Sequence, residues 1–186
     1  MPLKLNIGCG SNKINGYINI DTEESCKPDL VHNILDGPLP YEDGSVDEIA
    51  FFHCIEHVRK CYHELILREF RRVLKVGARL YISYPHFLCC VEQWKQATGE
   101  KKRFFEYTIY GRQLYPSDYH VAIMDPDELT ETLTKVGYKN IIHTPELCES
   151  YNYITAAIKS EHCATAYEDV VKQGLTHTVI IKEDSV

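Results

Sequence analysis

Gly8-Cys9-Gly10 interrupts the chain directly after the short strand-like run Lys4-Leu5-Asn6-Ile7. Glycines in such a place let the backbone turn tightly and let a ligand approach with no Cβ in the way. A second strand-like run, Tyr17-Ile18-Asn19-Ile20, ends at Asp21, and only residues 11–16 separate the turn from it. Parallel strands ordinarily need a crossover of a dozen or more residues, usually a helix. The spacing therefore predicts a first crossover cut to about one turn.

The rest of the pattern is an alternation. Leu30–Ile34 reads as a third strand, ended by the turn-rich Asp36-Gly37-Pro38-Leu39-Pro40, and Glu48–Phe52 as a fourth. The period then changes. Leu65, Ile66, Phe70, Val73 and Leu74 recur at helical spacing within His63–Leu74, and Gly77 stands where a helix stop is expected. A fifth strand, Arg79–Tyr84, is cut by Pro85. Residues 86–124 show no clean period. A structureless loop of that length is unusual, so helices are expected over Phe87–Gln96 and Gly99–Tyr110. Asp125-Pro126-Asp127-Glu128 is a helix start, with Asp as N-cap, Pro in the first position and Glu placed for a capping box. Leu129, Leu133 and Val136 form that helix's apolar face, and Gly137 ends it. Lys139–His143 and Tyr151–Ile158 read as the last two strands of the sheet. A helix near Ala164–Lys172 and a strand over Thr176–Ile181 are expected in the tail. Strands alternating with helices predict an α/β fold with a mainly parallel sheet, whose ligands bind beyond the carboxyl ends of the strands.

Composition narrows the function classes. The 186 residues suit one domain with a sizeable core. The net charge of −7 argues against nucleic acid as a partner, since phosphate binders carry a basic surface. Lys101-Lys102-Arg103 is the local exception, read either as a solvated loop or as a grip on an anionic substrate. No apolar run approaches the ~18 residues a membrane span needs. Met1–Asn6 runs straight into a strand-like pattern, so no secretory leader is expected. Eight cysteines without a CxxC pair then point to a reduced, cytoplasmic protein.

Five segments occur in order: Leu5-Asn6-Ile7-Gly8-Cys9-Gly10; Ile18-Asn19-Ile20-Asp21; Leu39-Pro40-Tyr41-Glu42-Asp43-Gly44-Ser45-Val46-Asp47; Ile55-Glu56-His57-Val58; and Arg71-Arg72-Val73-Leu74-Lys75-Val76-Gly77-Ala78-Arg79-Leu80. Together they resemble the class I S-adenosylmethionine-dependent methyltransferases, most closely the small type 11 group. The resemblance covers about residues 3–159 and is silent on substrate. It implies a Rossmann-like methyltransferase fold: a mostly parallel seven-stranded sheet, order 3-2-1-4-5-7-6, with helices on both faces. It implies a single domain with a substrate lid over 86–124 and a C-terminal extension over 160–186. It implies S-adenosylmethionine as cofactor. Gly8, Cys9 and Gly10 would lie against its methionine part, Asp21 would hold the ribose, and either Asn33 or Asp36 would meet the adenine amine. His53 would stand near the transferable methyl. The chain departs from the family in its shortened first crossover, in the missing third glycine of the turn, and in Val76-Gly77-Ala78 in place of Pro-Gly-Gly. With no helix N-terminus there, Lys13 is the residue placed to offer charge to the cofactor carboxylate.

A base helps if the acceptor is a hydroxyl, and a neutral histidine suits the task. The candidates at strand ends are His53 and His86, followed by His120 ahead of the Pro126 helix. The aromatic and basic character of 86–124 suits a small polar acceptor, such as a sugar or a nucleotide-linked precursor. A non-catalytic protein that binds S-adenosylmethionine or a related nucleoside is the alternative. A third reading comes from His53-Cys54-Ile55-Glu56-His57, which fits the inverted zinc-hydrolase signature H-x-x-E-H. That signature must lie within a helix, whereas here it follows a strand, and the methyltransferase resemblance accounts for Glu56 and His57. No metal ligand is therefore assigned. Thr176–Ile181 would pair at a sheet edge, within the chain or across a homodimer.

Overall fold

The computed structural model describes residues 1–146 and 151–161. Seven strands form one sheet: β1 Lys4–Ile7, β2 Ile18–Asp21, β3 Leu30–Val31, β4 Val46–Phe52, β5 Leu74–Pro85, β6 Tyr138–Pro145 and β7 Asn152–Lys159, in the order β3-β2-β1-β4-β5-β7-β6. This is the expected order. β1 to β5 pair in parallel, and β7 runs antiparallel to both β5 and β6. The carboxyl ends of the five parallel strands therefore share one edge of the sheet.

The core lies between the sheet and α1 (Lys60–Val73). Leu5, Ile7, Ile49, Phe51, Leu80 and Ile82 are buried in the sheet, and Ile66, Leu67, Phe70 and Val73 are buried on α1. Phe70 meets Phe51 edge-to-face at 5.1 Å, a geometry that favours aromatic pairs. α4 (Pro126–Val136) packs beside α1 and buries Leu129, Leu133 and Val136. Asp125 caps it as expected, its Oδ1 accepting from the N–H groups of Asp127 and Glu128. Glu128 does not close a capping box; its carboxylate pairs with Lys60 at 2.5 Å.

The first crossover carries no helix, as the spacing requires. Side chains hold it instead. Asn6 and Asn19 are opposite each other in the β1–β2 register and are both buried. Asn6 Nδ2 donates to Asn19 Oδ1 at 2.9 Å and to the Asn12 carbonyl at 3.0 Å. Asn19 Oδ1 also accepts from the Ile14 N–H, and Asn19 Nδ2 donates to Asp29 Oδ2. These bonds satisfy loop backbone that a helix would have satisfied internally.

The two later motifs turn out to be one structural knot. Glu69 Oε1 accepts from the Leu39 N–H and from Arg72, while Arg72 also donates to the Leu39 and Tyr41 carbonyls and to Asp43. The knot fastens segment 39–43 to the end of α1.

Three expectations are corrected. β3 stops at Val31 rather than Ile34, because the Asp36 N–H bonds the Asn33 carbonyl and turns the chain. Gly77 does not end a helix. α1 stops at Val73, the buried Leu74 pairs with Val46, and the β4–β5 register then jumps to Arg79, with Gly77 at φ +80° on the bulged stretch. Lys101–Arg103 is helical, not a loop. α2 (Phe87–Gln96) and α3 (Gly99–Tyr110) occupy their expected ranges, and Lys102 lies over the Trp94 ring at 4.1 Å. The expected elements at Ala164–Lys172 and Thr176–Ile181 fall outside the described residues. Among the described residues no helix is long and apolar enough to cross a membrane.

Candidate active site

The glycine turn is held tightly from two sides. Gly8 has φ +67°, and a Cβ there would stand 2.4 Å from Cys54 Sγ at the end of β4. Glycine is required both by the backbone and by the neighbour. Gly10 has φ +48° but opens on empty space, with nothing within 4 Å of where a Cβ would be. The turn is closed against the sheet at Gly8 and open at Gly10. Burial pushes the Cys9 and Cys54 thiols up, and the charges of Asp21 and, at Cys54, Glu56 act in the same direction. Both are protonated packing groups. Cys26, Cys61, Cys89 and Cys90 are also free thiols.

Asp21 ends β2 beside this turn. Its Oδ2 accepts from the Gly10 N–H at 2.7 Å and its Oδ1 from the Glu23 N–H at 2.9 Å. Each carboxylate oxygen keeps a lone pair for a further donor. Asn33 and Asp36 lie beyond β3. Asn33 Oδ1 accepts from the Leu35 N–H at 3.1 Å and is half-buried, whereas Asp36 is exposed. Lys13 does not face the turn; its ammonium donates to the Lys27 carbonyl on the β2–β3 connection.

His53 takes φ +48° at the end of β4, where its N–H bonds the Ser83 carbonyl. Its ring lies between two acids, 3.5 Å from Glu56 Oε1 and 3.6 Å from Glu146 Oε1, with the side chain 44% exposed. His86 caps α2. Its Nδ1 accepts from the Cys89 N–H and lies 2.9 Å from Cys89 Sγ, and its ring packs on Tyr153 at 4.6 Å. Nδ1 is therefore the lone-pair nitrogen, and Nε2 carries the proton in the neutral ring. Burial holds the His86 pKa below its ordinary value.

His120 is brought to the 55–57 turn by backbone. The Val121 and Ala122 N–H groups both bond the Glu56 carbonyl, at 2.9 and 3.1 Å. This brings the His120 ring edge-to-face against His57 at 4.7 Å. Burial lowers the His120 pKa. The H-x-x-E-H reading fails on geometry. His53 is left-handed, Cys54 is at φ −134°, and only Ile55–His57 forms a single 3₁₀ turn. His53 and His57 thus share no helix face, which a zinc-hydrolase helix demands.

Sequence reasoning passed over Glu56 as a site residue. It is 2% exposed, and its Oε2 has no hydrogen-bond partner. The H-x-x-E-H spacing drew attention to it beside His53 and His57, but nothing local in the chain points to His120.

Residues 18–82 match the family model described as "Methyltransferase domain". No curated protein sequence matches the chain. Among solved structures, the chain is similar to a SAM-dependent methyltransferase from Archaeoglobus fulgidus, with TM-score 0.63 and 14% identity over 85% of this chain and 86% of that one. It is similar to a SAM-dependent methyltransferase from Methanosarcina mazei, with TM-score 0.58 and 18% identity over 86% and 92%. It is also similar to Haemonchus contortus phosphoethanolamine N-methyltransferase 2 in complex with S-adenosyl-L-methionine, with TM-score 0.54 and 12% identity over 87% of this chain and 50% of that one. At these identities the likeness is one of fold.

Proposed function

We propose that this chain, a class I S-adenosylmethionine-dependent methyltransferase by its domain match and its sheet order, methylates a small polar acceptor of the kind a sugar or a nucleotide-linked precursor presents. The observation that carries the reading is the join between Gly10 and Asp21. One carboxylate oxygen takes the glycine N–H at 2.7 Å, and the turn opens on empty space at Gly10. A nucleoside fits such a cradle, with backbone close to one end and an acceptor-only group for the ribose hydroxyls.

In this reading Gly8, Cys9 and Gly10 hold the methionine part of the cofactor and Asp21 the ribose. Asn33 meets the adenine amine in preference to Asp36, being half-buried where Asp36 is exposed. When bound, the cofactor supplies a methyl group already activated on a sulfonium. The protein's task is then to align an acceptor, exclude water and receive a proton. Orientation alone is worth about 7–11 kcal/mol in well-aligned systems. His53 is the proposed proton acceptor, at the end of β4 between two carboxylates that stabilise its charged form. His86 and His120 line the acceptor side, and segment 86–124 forms the lid. The protein acts in a reducing, cytoplasmic setting.

The test is calorimetry of the full chain with S-adenosylmethionine, followed by transfer of labelled methyl to panels of sugar and nucleotide-sugar acceptors. Micromolar binding and label in at least one acceptor are expected. Absence of cofactor binding overturns the reading. Binding with label only in acceptors of another class overturns the acceptor assignment.

A further inference from the structure

We propose that Glu56, His57 and His120 form a binding site for a divalent transition-metal ion of the Zn²⁺ and Co²⁺ class. One ligand atom from each residue lies within 4.8 Å of the others. Ligands around a tetrahedral zinc at 2.0–2.1 Å stand about 3.3 Å apart, so small side-chain rotations close the set.

The proton positions favour it. His57 Nδ1 lies 3.0 Å from the Tyr119 carbonyl. A carbonyl only accepts, so Nδ1 carries the proton and Nε2 the lone pair. Metal-binding histidines are held this way, the second nitrogen donating to a carbonyl that fixes tautomer and ring orientation. The His120 ring lies edge-to-face against the His57 ring at 4.7 Å, on the same side of the Glu56 turn.

The third member is the buried carboxylate of Glu56, whose Oε2 lacks a partner. A charged oxygen left bare in a protein interior is strongly unfavourable, and a cation is the group that offsets it. Backbone secures the pair of segments independently, through the two N–H groups that bond the Glu56 carbonyl. The site is thus assembled by main chain, with side chains from two distant stretches turned toward one point.

Two imidazoles and a carboxylate leave a coordination position open, as in catalytic zinc sites. The role of that position rests on the methyltransferase reading. A bound ion would supply Lewis acidity to an acceptor hydroxyl, as it does to metal-bound water. His53, whose ring lies 3.5 Å from Glu56 Oε1, is the neighbouring group that would receive the proton. The acceptor class then narrows to alcohols.

The experiment is titration of the metal-stripped, reduced full chain with Co²⁺ and Zn²⁺ alone, by calorimetry and by the visible spectrum of the cobalt form. One equivalent is expected, with the absorption of a four- or five-coordinate ion. His57→Ala and His120→Ala should each weaken binding at least tenfold. Glu56→Gln, which keeps the side-chain shape, should do the same while circular dichroism shows the fold retained. Unchanged affinity in both histidine variants overturns the proposal. So does a thiolate-to-cobalt charge-transfer band, which would put the ion on cysteine. S-adenosylmethionine titrated into His57→Ala should bind as in the wild type. Metal binding without cofactor binding would uphold the site and sink only its role in methyl transfer.

Discussion

Asn6 Nδ2 donates to Asn19 Oδ1 at 2.9 Å across the β1–β2 pair, with both side chains buried. This bond is the centre of the helix-free crossover. Asn19→Ala would take the acceptor from the Ile14 N–H and from one of the two Asn6 amide hydrogens, the other keeping the Asn12 carbonyl, and a buried unsatisfied group costs about 1–3 kcal/mol. The expected loss is about 2–4 kcal/mol of unfolding free energy. Urea denaturation measures it. A midpoint within error of the wild type would show that the loop is not held by this network.

Gly8→Ala tests the turn. The added methyl meets Cys54 Sγ and adopts φ +67°, which alone disfavours a non-glycine residue by about 1–2 kcal/mol. Loss of stability and of S-adenosylmethionine affinity are both expected. Adding Cys54→Ala should restore part of the stability by removing the sulfur, though not the backbone strain. If the double variant is no more stable than Gly8→Ala, the contact with Cys54 is unimportant.

Asp21→Ala removes the acceptor for the Gly10 and Glu23 N–H groups together with the proposed ribose partner. Cofactor affinity should fall at least tenfold. Asp21→Asn keeps one oxygen and should fall less. Calorimetry that finds Asp21→Ala equal to the wild type would remove Asp21 from the binding site.

His63 predicts a pH dependence of stability. Its Nε2 donates to the Ile55 and Val58 carbonyls, and burial is the largest cause of a pKa held below the ordinary value. The unfolded chain then takes the proton first. Above about pH 6.5 both states are neutral and His63 contributes no pH dependence. As pH falls below that, stability drops until the folded-state pKa is passed, and then levels off. His86, His120 and His143 are shifted the same way, so the total slope is shared. The difference between wild type and His63→Gln, read as melting temperature from pH 7.5 to 5, isolates this residue. A difference that does not change with pH would contradict the assignment.

Much of this protein is legible as local pattern. Period-two runs and the 3.6-residue repeat mark β1, β2, β4 and α1, because each element must turn one face to the core. Asp125-Pro126 marks the start of α4, because a cap acts within a few residues of itself. The glycine turn and Asp21 are readable for the same reason: each sits at the carboxyl end of a strand, where the local residues set the chemistry. The boundaries of β3 and β5 are not readable. They depend on the Asn33–Asp36 turn and on the Leu74–Val46 pairing.

By itself, then, the sequence determined the order of elements and the short crossover, since both arise from backbone reach and hydrophobic period. Only the tertiary structure decided which histidine meets which. His57 and His120 come together because backbone N–H groups from residues 121 and 122 close on the Glu56 carbonyl. No periodicity in a chain encodes a contact of that range, because its energy is realised only once both segments are already folded.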